Sequence, residues 1–177
     1  MKKTVSIILM FVTFLIIYFL QSNFFNCFTI AGIKPNLFII FTLFISLFAG
    51  VKIGTAYGIF FGLFLDIVIG RSLGVSGIMY GIVGLLGGYF DKNFSKDSRI
   101  TIMLMVIGTT LLYEIGNYII SIMQLSIQIE ILSFIKILLI EVIYNVILTI
   151  ILYSIIQKVG YKIEDIFKGQ KILTRYF

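Results

Sequence analysis

Of the 177 residues, 60% are hydrophobic and only 12% are charged, and the mean hydropathy is +1.12. A water-soluble chain of 20.1 kDa has too little interior for that much apolar surface, and disorder needs the opposite composition, so both are excluded. With no His and a single Cys, most metal sites, Cys–His nucleophiles and intrachain disulfides are excluded too, which leaves a polytopic membrane protein.

A helix needs about 20 apolar residues to cross the hydrocarbon core. The first candidate covers residues 4–20 and stops at Gln21, Ser22 and Asn23. Lys2 and Lys3 ahead of it also suit the start of a signal peptide. No small-x-small cleavage site follows, however, and Phe24-Phe25-Asn26-Cys27 is not a lipoprotein box. A retained helix is expected, with Cys27 a lone thiol near its outer end. The second span, 36–50, opens behind Pro35, a good first-turn residue, and the third is 53–69. A single helix over 36–69 would be about 51 Å long at 1.5 Å per residue, too long for the bilayer even when tilted. A break is therefore expected at Gly50-Val51-Lys52-Ile53-Gly54. Arg71 and Ser72 precede the fourth span, 73–90, and a polar loop occupies 91–99. The fifth span is 100–123, a turn runs through 124–130, and the sixth span is 132–156. The expected fold is all-α: a six-span membrane bundle over 1–156 with a basic tail over 157–177.

Lys and Arg set the orientation. With the N-terminus inside, the cytoplasmic side holds eleven: Lys2, Lys3, Lys52, Lys92, Lys96, Arg99, Lys158, Lys162, Lys168, Lys171 and Arg175. Lys34 and Arg71 fall outside, and Lys136 lies within the sixth span. Both termini are therefore expected in the cytoplasm. The net charge of +6 belongs to cytoplasmic loops and tail, so it reports orientation and not nucleic-acid binding. In the tail, Val159, Ile163, Ile166 and Phe167 recur at helical spacing among lysines. That pattern suits either an interfacial helix on anionic lipid or a solvated segment.

Glycine supplies the strongest pattern. Gly50, Gly54, Gly58 and Gly62 recur every fourth residue, and the same step continues through Asp66, Gly70 and Gly74. The fourth span carries Gly74, Gly77, Gly81, Gly84 and Gly88, spaced alternately three and four. Small residues at such spacing let helix backbones approach closely, where van der Waals contact replaces the missing hydrophobic drive. The rows can pack spans two, three and four together, or dock a helix of another protein, or both. A carboxylate facing lipid is costly, so Asp66 is expected to point into the bundle or to the interface. It is either a helix-end anchor paired with Arg71 or a functional group.

The last two spans carry buried polar candidates. Glu114 and Asn117 share a face of the fifth span with Ser121, and Glu141, Asn145 and Thr149 share a face of the sixth. Both glutamates lie about 14 Å in from the outer ends, so packed antiparallel helices make them neighbours. Two ionised carboxylates would repel, and sharing a proton, or Lys136, relieves this unless Lys136 snorkels outward. The set suits a hydrogen-bonded core, a small-molecule pocket or a proton site.

Enzyme signatures fail on inspection. Gly74-Val75-Ser76-Gly77 matches the Gly-x-Ser-Gly turn of intramembrane serine proteases, but no histidine exists to activate the serine. There is no phosphate-binding loop and no paired acidic metal motif.

The six-span layout, Lys34-Pro35-Asn36, the Gly-x-x-x-Gly series and the stretch Gly58-Ile59-Phe60-Phe61-Gly62-Leu63-Phe64-Leu65-Asp66 followed by Leu73-Gly74 together resemble the rod-shape-determining MreD family. The layout extends over nearly the whole chain and the motifs over 34–90. Where the family often has an acidic residue after the proline, Asn36 stands here. The resemblance implies a non-catalytic scaffold of the bacterial cytoplasmic membrane, without a cofactor. The partners it implies are MreC, the filament protein MreB, the RodA glycosyltransferase and a penicillin-binding transpeptidase. The family also resembles in fold the S components of ECF vitamin transporters, which makes a substrate-binding S component the alternative. Such components usually carry small-residue repeats on their first span, and residues 5–20 have none. A proton or ion carrier using Glu114 and Glu141 is a third reading.

The charge bias sets a topology test. Alkaline phosphatase fused after Asn26 or Leu125 should be active, and after Asn93 or Gln157 silent. Activity after Asn93 would contradict six spans.

Overall fold

The computed structural model describes residues 2–70, 73–125 and 130–168. Six helices account for most of them: α1 (Lys2–Phe19), α2 (Leu37–Ala49), α3 (Val51–Ile69), α4 (Val75–Asn93), α5 (Arg99–Leu125) and α6 (Ile131–Phe167). No named strand forms among the described residues, and the one isolated bridge joins Ile30 to Ile33 within a turn. The chain is an all-helical membrane bundle.

Four helical stretches are long and apolar enough to span a bilayer: Thr4–Cys27, Val51–Ile69, Arg99–Met123 and Ile131–Phe167. The two other expected spans differ for separate reasons. Glycines at 77, 81, 84, 87 and 88 dilute the hydropathy of α4, although its 19 residues match α3 in length. α2 has only 13 residues, about 20 Å of helix, and all but Phe41 are buried. It lies against α3, α4, α5 and α6, an inner strut screened from lipid by its neighbours.

The polar group at 21–23 does not end the first helix. The chain continues through a π turn (Leu20–Phe24) and a short α turn (Phe25–Cys27). Asn23 and Asn26 donate to the Phe19 and Ser22 carbonyls, satisfying acceptors that the widened turn loosens. The α2–α3 break falls at Gly50, whose φ of 98° strains any residue with a Cβ. Gly70 and Gly74, also at positive φ, turn the chain from α3 into α4. At the far end, α6 runs on past residue 156 to Phe167, so the first part of the tail continues the sixth helix.

The glycine rows meet inside the bundle. A Cβ on Gly58 would sit on the Tyr80 carbonyl of α4. One on Gly62 would lie 2.5 Å from the Ser76 carbonyl oxygen, and one on Gly84 2.6 Å from that of Gly54. Gly54 faces Ser46 of α2, and Gly88 faces Val51. Gly77 and Gly81 receive the Leu63 and Ile59 side chains of α3. At this seam α3 and α4 touch backbone to backbone, the contact that small residues permit in a membrane. Ser46 extends it to α2 by donating to the Gly84 carbonyl. α1 packs outside through Phe14, stacked on Phe61 with ring centroids 4.0 Å apart.

Leucine at Gly58 or Gly62 would press into backbone that cannot move aside, and should cost about 1–3 kcal/mol or more, as overpacked cores do. Gly108 on α5 has nothing within 4 Å of its missing Cβ, so Gly108→Leu should be neutral. Thermal unfolding of the purified variants in micelles measures the contrast, and equal midpoints for all three would place the seam elsewhere.

Candidate functional site: a polar cavity above the start of α2

α2 begins deep in the bundle. The Asn36 N–H donates to Asn145 Oδ1 at 2.8 Å, and Asn145 lies about 20 Å along α6 from its first residue. Asn145 is wholly buried and also donates to Thr110 of α5 at 3.1 Å. The Asn36 side chain caps α2 through the Ile39 N–H and accepts from the Tyr80 hydroxyl at 3.1 Å. Gln21 completes the socket: its amide donates to the Pro35 carbonyl and its oxygen accepts from the Leu37 N–H. The first turn of α2 is thus tied to the π turn after α1, to α4 and to α6 by hydrogen bonds.

Because α2 starts so low, its taller neighbours leave a space above it. The cavity has a volume of about 260 Å³. Gln21, Lys34, Asn36, Ser76, Tyr80, Tyr113, Glu114, Asn117 and Glu141 supply its polar lining, and Phe38, Leu65 and Ile69 part of its apolar wall. The structure therefore brings Glu114 and Glu141 to one space, within hydrogen-bonding reach of each other. Asn117 joins them, whereas Asn145 lies beneath, in the socket. Ser121 donates to its own helix at the Asn117 carbonyl, and Lys136 is exposed on α6 and does not line the cavity.

Asp66 sits elsewhere, 1% exposed at the end of α3. Its carboxylate accepts from the Gly74 N–H at 2.9 Å and the Ser76 N–H at 3.1 Å, capping the first turn of α4 from the preceding helix. Gly74, in the N-cap position, has no side chain to do so, and the negative charge also suits the positive end of the helix dipole. Arg71, its expected partner, lies outside the described residues.

α6 shows how polarity is arranged. Its buried residues are Glu141, Asn145, Thr149, Tyr153, Gly160 and Glu164, on one helical face, while Ile143, Ile147, Ile151 and Ile155 face outward. Beyond the apolar stretch this stripe enters a charge cluster. Lys96 bridges Asp91 at 2.9 Å and Glu164 at 2.6 Å, and Lys168 bridges Asp91 at 2.6 Å while donating to the Leu47 carbonyl at 2.8 Å. Burial works to raise the Asp91 carboxyl, but Lys168 and Lys96 together hold it below the usual range. Burial also disfavours charge on both lysines. Glu164 and Asp91 still lift Lys96, whereas Lys168, further opposed by Lys96, ends lower than usual. Gly160 packs its bare backbone on the Phe48 ring, and Tyr161 donates to Asp97. The helical part of the tail is clamped to the ends of α2 and α4.

The model of the rod shape-determining protein MreD family matches residues 1–162. The chain belongs to the MreD family. It is therefore a bacterial membrane protein concerned with cell shape, from a family that forms part of the rod-shape complex. No curated protein and no solved structure matches it. The matched span takes in the cavity, the α3–α4 seam and most of α6 of this MreD-family chain.

Sequence periodicity does not point to every member of these sites. Gln21 stands in a polar group that reads as an interhelical break, and nothing in its neighbourhood signals a π turn. Tyr80 lies on the face of the Gly77 and Gly84 row, a polar residue among glycines that could have been noticed. The Asp91–Lys96–Glu164–Lys168 cluster joins positions up to 77 apart, beyond any periodicity.

Replacing Asp66 by Ala should cost about 0.5–2 kcal/mol, as lost caps do, and Asn should cost less because it keeps an acceptor oxygen. Hydrogen exchange should speed up at the Gly74 and Ser76 amides in the Ala variant. Unchanged protection there would show that the cap is not needed.

Proposed function

We propose that this MreD-family chain is a non-catalytic scaffold of the rod-elongation complex. It crosses the cytoplasmic membrane six times with both termini inside. It binds an MreC-type membrane protein and, through it, an MreB-type filament, and it supports a RodA-type glycosyltransferase and a penicillin-binding transpeptidase. The observation that carries this reading is the family match over residues 1–162. The distribution of Lys and Arg supports the topology.

The seam supports a division of labour between faces. Gly54, Gly58, Gly62, Gly84 and Gly88 are occupied by neighbouring backbone or side chains, and we read both glycine rows as internal packing. Partner helices are then left the outer faces. α1 turns only Ser6, Met10, Phe14 and Ile17 inward among its described side chains, and offers an exposed apolar surface from Val5 to Phe19. The clamped cytoplasmic extension of α6 gives the side facing the filament a fixed shape.

A tagged copy recovered in mild detergent should bring the MreC-type protein with it, and depleting the chain should turn rods into spheres. Rod-shaped growth after depletion, or recovery without the MreC-type protein, would contradict the reading.

A further inference from the structure

The cavity above α2 is lined by two carboxyls, one of which carries a buried oxygen that no donor reaches. Glu141 lines the space and is only 7% exposed, and its Oε1, buried behind the lining, has no hydrogen-bond partner among the described residues. A buried acceptor without a donor is costly, more so when charged, so a ligand that brings donors to this carboxyl pair would be favoured. Glu114 borders the same space beside Glu141. Two neighbouring carboxyls in one wall match a group that carries positive charge and several N–H donors. Lys34, on the loop before α2, adds a positive charge to the same lining. It suits an anionic group on the same ligand. Water needs only about 10–15 Å³ of such volume per molecule, and about 260 Å³ is many times that. The walls are also set in advance: Gln21, Asn36 and Tyr80 are held by the hydrogen bonds that anchor α2.

We infer that the cavity binds a small zwitterion, its primary ammonium between Glu141 and Glu114 and its anionic group toward Lys34. A soluble phosphorylated or carboxylated amine and the headgroup of an aminophospholipid share this chemistry. The site is separate from the faces assigned above to partner helices, so the scaffold reading stands whether or not it is filled.

Binding is tested on the full chain in phosphatidylcholine nanodiscs, whose quaternary headgroup has no N–H donor. The soluble probe is O-phosphoethanolamine. The lipid arm replaces part of the phosphatidylcholine with phosphatidylethanolamine and reads retained lipid by native mass spectrometry. One of the two amines should raise the unfolding midpoint, whereas phosphocholine and ethylene glycol should not. Glu141→Gln should weaken that binding at least tenfold, and Glu114→Gln serves the same purpose if the first variant does not fold. Stabilisation by O-phosphoethanolamine assigns a soluble ligand, and selective retention of phosphatidylethanolamine assigns the lipid. If neither amine binds the wild-type chain, if phosphocholine binds equally well, or if a folded Gln variant binds unchanged, the inference is overturned.

Discussion

Where Gly58 and Gly62 of α3 lie against the Tyr80 and Ser76 carbonyls of α4, no side chain fits between the two backbones, and the other contacts are arranged around that seam. Lipid is as apolar as leucine, so burying leucine between helices gains little. Close backbone packing and satisfied polar groups hold a membrane bundle together instead. The seam sets the rotation of both helices. It delivers Asp66 to the amides that start α4, Ser46 to the Gly84 carbonyl, and Tyr80 to Asn36. α2 can be short because the seam and its neighbours enclose it. Its low starting point in turn creates the cavity above it.

The same rule explains the orientation of α6. Its interior face carries Glu141, Asn145, Thr149 and Tyr153, and its isoleucines face outward. In water this arrangement would be inverted. Along this face of α6, Glu141 Oε1 is the one buried polar atom among the described residues without a hydrogen-bond partner. Polar contacts therefore gather at three levels: the cavity, the Asn36–Asn145 socket and the Asp91–Lys96–Glu164–Lys168 cluster. Exposed apolar side chains lie between and around them.

Much of this was legible in the sequence because it depends on local periodicity. The four-residue glycine step signals close helix approach wherever it occurs, and the four-residue spacing of Glu141, Asn145 and Thr149 places them on one face. The shared depth of Glu114 and Glu141 followed from counting residues along two antiparallel helices. What was not legible depends on partners chosen in three dimensions. Asp66 has a nearby arginine in sequence, yet its carboxylate is used by backbone amides eight and ten residues away, across a turn whose shape needs Gly70 and Gly74 at positive φ. The π turn that aims Gln21 at Pro35 leaves no mark in composition. The extension of α6 to Phe167 is accompanied by Gly160 meeting Phe48 and by Lys168 reaching across to Asp91 and Leu47, contacts between residues that are distant in the chain.

The central claim is that the glycine faces of α3 and α4 turn toward each other and their flanks toward lipid. Single spin labels read this directly through oxygen accessibility in bilayers. High accessibility is predicted at Phe60, Ile67, Ile78 and Leu85, and low accessibility at Phe61, Leu65 and Val83, which are at most 8% exposed. The reverse pattern, with Leu65 and Val83 open to oxygen and Phe60 and Ile78 shielded, would mean that the glycine rows face outward and would contradict the account.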